Sequence, residues 1–229
     1  MMMKETRSLE FEIRAEETGN EERAGRITGT PIVFNQVMDA GWMRETIDRG
    51  ALDKTDLRDV RFLVGHDTSS IPLARSRNNN ANSTMQLSVT DEGMEIRVDL
   101  DIENNPRAKE LYSAVKRGDI SGMSFMFTVD EDSWEGLDTD SPMRHIRSIS
   151  KVFEVSAVTF PAYEGTSIQA AAEGGALESA KASLESAKQR LADERAEEAE
   201  QERRTAVLDW LKEYMGPEGS GKEEESENV

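Results

Sequence analysis

Few side chains in this sequence could do covalent chemistry. The chain has no cysteine, and its only histidines are His66 and His145. A serine hydroxyl becomes a nucleophile when a histidine accepts its proton, and a carboxylate often orients that histidine. The residue types are compatible with serine chemistry, for which Ser124 is the candidate nucleophile and Glu154 the candidate carboxylate.

Ser124 lies in a predicted β-strand. Residues 119–129 read DISGMSFMFTV, and the large apolar residues alternate as they do on one buried face of a strand. Ser124 then falls on the opposite, open face, where its hydroxyl can project into a cleft. Ser121 falls on the buried face. The alternative is that Ser124 is simply a polar residue on a half-exposed strand.

The candidate base and carboxylate also occupy informative places. His66 ends an apolar strand and enters a Gly/Asp/Ser loop, whereas His145 lies in a charged stretch. A structural role is open for either histidine. Glu154 has apolar neighbours on both sides in KVFEVSAVTF, and a buried carboxylate needs a partner. That partner is either an arginine or lysine, or a histidine that Glu154 orients.

The elements that must position these residues are mostly strands. Alternating patterns predict about seven short strands, with a hairpin around Asp91-Glu92-Gly93 and a short helix around residues 45–47. Asn105-Pro106 and Gly118 mark the start and end of a second helix. Residues 130–141 resemble a mobile acidic loop. We predict an α+β fold: a mainly antiparallel β-barrel ringed by a few helices, with a helical C-terminal tail.

A change of composition near residue 170 predicts three segments. Residues 1–170 carry the strand patterns and form the main domain, residues 171–215 are a charged helical segment, and residues 216–229 are a disordered acidic tail. The helical segment has two apolar patches. They indicate either a solvated linker or a docking surface, and we expect residues 171–229 to be dispensable for folding.

Composition excludes several functions. The net charge of −18 argues against nucleic-acid binding, and no apolar run reaches the length of a membrane span. The first residues lack the apolar core of a signal peptide, so we expect a soluble protein in the cytoplasm. Without cysteine and with two distant histidines, a metal-dependent hydrolase using His66, Asp67 and Glu154 is disfavoured. No cofactor is expected.

Six sequence blocks, in order and with matching spacing, resemble those of the prohead (capsid maturation) protease family of tailed bacteriophages. The three that carry chemistry are VGHD at 64–67, ISGMSFMF at 120–127 and FEVSAVTFPA at 153–162. The supporting blocks are GTPIVFN at 29–35, ETIDRGAL at 45–52 and NPRAKELY at 105–112. The resemblance covers roughly residues 8–165.

The resemblance implies a β-barrel similar to the herpesvirus assemblins and a serine endopeptidase. By motif, Ser124 is the nucleophile, His66 the general base and Glu154 the third member, although Asp67 and His145 stay open for that third role. Met126 departs from the family pattern, in which a small residue is expected. The implied substrates are the scaffolding region of the major capsid protein and then the protease itself, inside the assembling prohead in the host cytoplasm.

Two other interpretations are kept. One is a catalytically inactive scaffold or capsid-assembly protein on the same barrel, which a misaligned Ser124–His66 pair would indicate. The other is the metal-dependent hydrolase. Self-association into a homo-oligomer is left open, and no nucleic-acid or membrane partner is expected.

Overall fold

The computed structural model describes residues 4–9, 13–16, 25–159 and 176–215. Its elements are, in chain order, β1 (Lys4–Leu9), β2 (Ile13–Ala15), β3 (Arg26–Val33), β4 (Met38–Asp39), β5 (Arg44–Ile47), β6 (Arg61–Val64), β7 (Ala74–Arg75), a 3₁₀ turn (Arg77–Asn79), β8 (Met85–Val89), β9 (Gly93–Asp99), α1 (Pro106–Arg117), β10 (Gly122–Glu135), β11 (Met143–Val158) and α2 (Ala176–Met215).

The larger, seven-stranded sheet is built around the long hairpin of β10 and β11. β1 pairs antiparallel with β10 on the side away from β11, so β10 is an interior strand. β11 is long enough to hold two parallel neighbours, β5 beside its first residues and β6 beside its last. β4 and β7 pair with β5 and β6 respectively.

The smaller sheet contains β2, β3, β9 and β8 in that order, all antiparallel. One hydrophobic core joins both sheets and α1, because their apolar faces share a single cluster of buried residues such as Phe62, Phe125, Phe127, Ile27, Met94 and Leu111. The predicted α+β class and C-terminal helix are confirmed. The pairings among the described strands leave two sheets that do not close, so the predicted barrel is not confirmed.

Helix α1 begins and ends where the sequence predicts. The Asn105 side chain accepts hydrogen bonds from the backbone N–H groups of Arg107 and Ala108, and Pro106 occupies the first turn. Gly118 takes the left-handed conformation (φ 79°) that favours glycine after a helix. The predicted hairpin is likewise confirmed as β8 and β9.

Two local predictions are wrong. Residues 45–47 do not form a helix: they belong to β5 and pair in parallel with β11, which buries Glu45, Thr46 and Ile47. The first half of the loop predicted over residues 130–141 is strand, because β10 continues to Glu135 and pairs with the start of β11. Four register shifts along this hairpin break the simple alternation that would have marked a strand.

Arg7 and Arg144 are the centre of a buried ion network. The Arg7 guanidinium contacts Glu45 and, at 2.6 Å, Glu5. Arg144 Nη1 lies 2.7 Å from Glu5 and 3.0 Å from Glu45, and its Nη2 lies 2.6 Å from Asp132. The network therefore ties together β1, β5, β10 and β11.

Pairing outweighs the cost of burying these charges. Burial alone would lower the pKa of Arg7, but the charges of Glu45 and Glu5 and a hydrogen bond to Glu45 raise it above its ordinary value. Burial alone would raise the pKa of Glu45, but Arg7 and Arg144 hold it below its ordinary value. The charged forms are therefore stable in the interior only as long as each keeps its partners.

The start of α2 closes this network. The Ser179 hydroxyl donates to Glu5 at 2.9 Å, and the Ser183 hydroxyl donates to Asp132 at 2.7 Å. Ala180 is fully buried against a small cluster with Met43 and Trp134. These first helical residues are thus part of the folded sheet domain.

We therefore expect two truncations to differ. A chain ending at residue 170 loses the hydrogen bonds that Ser179 and Ser183 donate to Glu5 and Asp132, and two hydrogen bonds to charged groups contribute at least about 2 kcal/mol. A chain ending at residue 190 keeps them. Thermal denaturation should give a Tm at least about 4 °C lower for the shorter chain. Equal Tm values for both truncations would show that the start of α2 does not stabilise the domain.

The chain divides into two compact units, Met1–Glu185 and Ser186–Val229. In the second unit the described residues are helical, and nearly all of their side chains are exposed. Its apolar patch is exposed as well and consists of Val207, Leu208, Trp210, Leu211 and Tyr214. The predicted disordered tail lies outside the described residues. No described helix is long and apolar enough to span a membrane.

Candidate active site

His66 lies directly after β6, where the chain turns back over the sheet. β6 runs parallel to the end of β11, with Leu63 beside Ser156. The Gly65 N–H donates to the Ala157 carbonyl at 3.0 Å, which prolongs the pairing by one residue. Gly65 and His66 then both have a φ of 60°, in the left-handed region. For His66 this conformation costs about 1–2 kcal/mol, so other contacts must hold it.

The first of these contacts joins His66 to Glu154. His66 Nδ1 lies 2.7 Å from Glu154 Oε1, and the Glu154 side chain is almost fully buried. A carboxylate oxygen accepts hydrogen bonds, so this contact favours the tautomer with its proton on Nδ1, in which the lone pair of the ring is on Nε2. Nε2 is buried and makes no hydrogen bond within the described part of the chain. The imidazole is therefore oriented like that of a general base.

The alternative partners of Glu154 are engaged elsewhere. Arg61 lies beside Glu154 in the strand register, but its guanidinium contacts Asp59 at 3.2 Å. The sequence left two kinds of partner open for Glu154, and the structure shows the histidine rather than an arginine or lysine.

Neither open candidate for the third role approaches His66 in this way. The Asp67 carboxylate accepts hydrogen bonds from Ser69 and Ser70, which lower its pKa to about 2. His145 Nδ1 lies 3.1 Å from Asp48 instead. Among the described residues no group of three acidic or histidine side chains is arranged to hold a metal ion.

Ser156 is a functional candidate that the sequence argument missed. Its hydroxyl donates to Glu154 Oε2 at 2.5 Å and accepts the backbone N–H of His66 at 3.1 Å. It is fully buried. The signal that could have identified it is its spacing, because residues two apart on a strand share a face, and Ser156 follows Glu154 by two.

Ser124 lies on β10 in the same row of the sheet. It pairs with Ser156 across the β10–β11 ladder, so the two side chains share a face. Ser156 in turn pairs with Leu63 of β6, the strand that leads into His66. The sheet thus brings Ser124, Ser156 and His66 together from three neighbouring strands.

The prediction that Ser124 projects into an open cleft is wrong. The residue is fully buried, and its hydroxyl donates to the Arg7 carbonyl of β1 at 2.8 Å. The reason is that β10 has a neighbour on both sides and its two faces are both covered. Ser121 is exposed rather than buried, because it precedes the strand. No hydrogen bond joins Ser124 to His66 in the described part of the structure.

The arrangement can perform base-assisted nucleophilic chemistry. It contains an imidazole with a free ring nitrogen, a buried carboxylate on β11 that contacts this imidazole, and the Ser124 hydroxyl on β10, the strand next to β11. Proton transfer from Ser124 to His66 would require the hydroxyl to leave the Arg7 carbonyl. The sequence could not identify Arg7 as a partner of Ser124, because the contact uses the Arg7 backbone carbonyl and depends on the pairing of β1 with β10.

A family model described as caudovirus prohead serine protease matches residues 9–180 of the chain. These residues include the strands that carry Ser124, His66 and Glu154, and they extend into the first turns of α2. No curated protein and no solved structure gives a significant match.

Proposed function

The chain belongs to the caudovirus prohead serine protease family, and from that premise we propose that it is a serine endopeptidase with Ser124 as nucleophile, His66 as general base and Glu154 as the residue that orients the base. Family membership implies a capsid-maturation protease that acts in the assembling prohead in the host cell. The observation that supports the residue assignment best is the 2.7 Å contact between His66 and the buried Glu154, beside the serine strand.

The proposed reaction is acyl transfer. Ser124 Oγ attacks the carbonyl carbon of the scissile peptide while His66 Nε2 takes its proton, and Glu154 stabilises the resulting imidazolium. The imidazolium then protonates the leaving amine as the C–N bond breaks. A water molecule, deprotonated by His66, attacks the acyl-enzyme ester, and the proton returns to Ser124 as the ester bond breaks.

The hydrogen bond between Ser124 and Arg7 corresponds to a resting state in this proposal. The nucleophile is buried and its proton points to a carbonyl, so it neither meets substrate nor transfers its proton to His66. A change of the Ser124 side-chain rotamer, together with opening of the covered face, would convert it into the reactive state. Such latency suits a protease that is to act only after a shell has assembled.

The same hydrogen bond favours a second candidate function. A chain that keeps Ser124 permanently buried would be a catalytically inactive assembly protein on the same fold. The metal-dependent alternative has no such support, because Asp67 contacts Ser69 and Ser70 rather than His66.

We propose the scaffolding region of the major capsid protein as the substrate, followed by the protease itself. Co-expression of the chain with the capsid subunit should shorten the subunit on a gel, and intact-mass measurement should show the protease shortening with time. The Ser124→Ala variant should leave both proteins at full length, and chelators should not change the result. An uncut subunit with the wild-type chain would favour the inactive assembly protein.

A further inference from the structure

Ser156 makes two contacts that both converge on the proposed base. One is with the carboxylate that holds the imidazole, and the other is with the backbone of the histidine itself. Both partners belong to the proposed catalytic unit.

We infer that Ser156 is a positioning residue that fixes His66 and Glu154 in the geometry needed for proton transfer. This inference rests on the proposed function. Ser156 acts through its neighbours, whereas Ser124, His66 and Glu154 would contact the reacting atoms or the base directly.

The first part of the role is to orient the carboxylate. Glu154 has two oxygens: Oε1 lies 2.7 Å from His66 Nδ1, and Oε2 accepts the Ser156 hydroxyl at 2.5 Å. A carboxylate that is held at both oxygens cannot rotate about its last bond. The oxygen that faces the imidazole therefore stays within hydrogen-bond distance of Nδ1, which favours the Nδ1–H tautomer.

The second part is to hold the backbone of the base. His66 has a φ of 60°, which is unfavourable for a residue with a Cβ atom. The hydrogen bond from its N–H to Ser156 Oγ, 3.1 Å long, is a contact that compensates for this cost. Without it the turn after β6 can relax, and the ring nitrogen that should face Ser124 moves with it.

The chain offers a matched control at Ser76. Ser76 is also fully buried, and its hydroxyl oxygen also accepts a backbone N–H, from Val60 at 3.0 Å. Its other contact is a carbonyl oxygen of Leu57 rather than a carboxylate. Ser76→Ala should therefore cost a comparable hydrogen bond without touching the proposed catalytic unit.

The test uses a fluorophosphonate on particles assembled by co-expression with the capsid subunit. This reagent forms a P–O bond to an activated serine and releases fluoride, so its limiting rate reports activation of Ser124, and the concentration giving half that rate reports access. We expect Ser156→Ala to lower the limiting rate about 10²-fold at unchanged half-saturation, since a shift of about 1 Å has an effect of that size. Ser76→Ala should react like wild type, and Ser156→Thr, which keeps the hydroxyl, should recover most of the rate.

A second readout does not depend on reactivity. Because the chain has only two histidines, ¹⁵N labelling of their rings gives two sets of signals, which His145→Ala assigns. The Nδ1–H signal of His66 should shift or broaden in Ser156→Ala and stay unchanged in Ser76→Ala. Equal rates and equal His66 signals in the two alanine variants would overturn the positioning role. Absence of labelling in wild type, with a normal His66 signal, would count instead against the proposed function.

Discussion

Replacing Ser124 or His66 by alanine lowers peptidase activity by about 10⁴-fold or more, as removal of the nucleophile or its base does in other serine peptidases. Ser124→Ala removes the oxygen that forms the acyl-enzyme in the proposed mechanism. His66→Ala removes the ring nitrogen that accepts its proton. The two losses should not add in the double variant, because both residues act in one step. Cleavage rate of the capsid subunit measures the effect, and thermal denaturation shows that the variants are folded.

Ser121→Ala and His145→Ala are matched controls for Ser124→Ala and His66→Ala. Ser121→Ala changes an exposed serine three residues before the nucleophile and should leave the cleavage rate unchanged. His145→Ala changes a histidine that, like His66, is partly buried and has its Nδ1 near a carboxylate, that of Asp48. It should also stay active. An inactive His145→Ala protein that remains folded would return His145 to the catalytic unit, and an active Ser124→Ala protein would end the serine mechanism.

Replacing Arg144 by methionine has the largest expected effect on stability. The guanidinium is almost fully buried and contacts Glu5, Glu45 and Asp132, so its loss leaves Glu5 and Glu45 with Arg7 as their remaining cation in the network and leaves Asp132 with none there. Breaking a buried ion pair in this way costs about 3–5 kcal/mol. That is a large share of the roughly 5–15 kcal/mol by which domains are stable. Urea denaturation of the whole chain measures the free energy of unfolding.

Arg58 provides an exposed ion pair with which the buried pairs of Arg144 can be compared. It contacts Asp56 through two guanidinium nitrogens, at 2.9 and 3.2 Å, but its side chain is 78% exposed. Arg58→Met should leave the free energy of unfolding near that of wild type, because water and salt screen an exposed pair. Adding Glu5→Gln to Arg144→Met should restore part of the lost stability by removing one uncompensated charge. Equal losses in Arg58→Met and Arg144→Met would show that burial of the network has no energetic consequence.

Sequence patterns predicted the elements whose side chains alternate cleanly or whose ends carry capping residues. The serine strand, the β8–β9 hairpin and α1 are of this kind. Prediction failed where tertiary pairing decides the conformation. Residues 45–47 are strand because β11 offers them a parallel neighbour, and no local pattern records that neighbour.

The sequence predicted which residues form the candidate site, but it did not predict the burial or the hydrogen bond of Ser124. A carboxylate among apolar residues needs a partner, and Glu154 contacts His66. That Ser124 would be buried and bound to the Arg7 carbonyl depends on β1, which lies 117 positions earlier in the chain, and no periodicity reveals such a contact. The role of Ser156 needed the side-chain positions of two other residues.

The ion network also sets an order for biosynthesis. Glu5 leaves the ribosome early, but its partners Arg144 and Ser179 lie 139 and 174 positions later. At a synthesis rate of about 5–20 residues per second, roughly 7–28 s pass between the addition of Glu5 and the addition of Arg144. A chain that terminates before Ser179 contains His66, Ser124 and Glu154 yet lacks the contact that closes the domain. The domain therefore gains its last stabilising contacts only after all three proposed catalytic residues have been added to the chain.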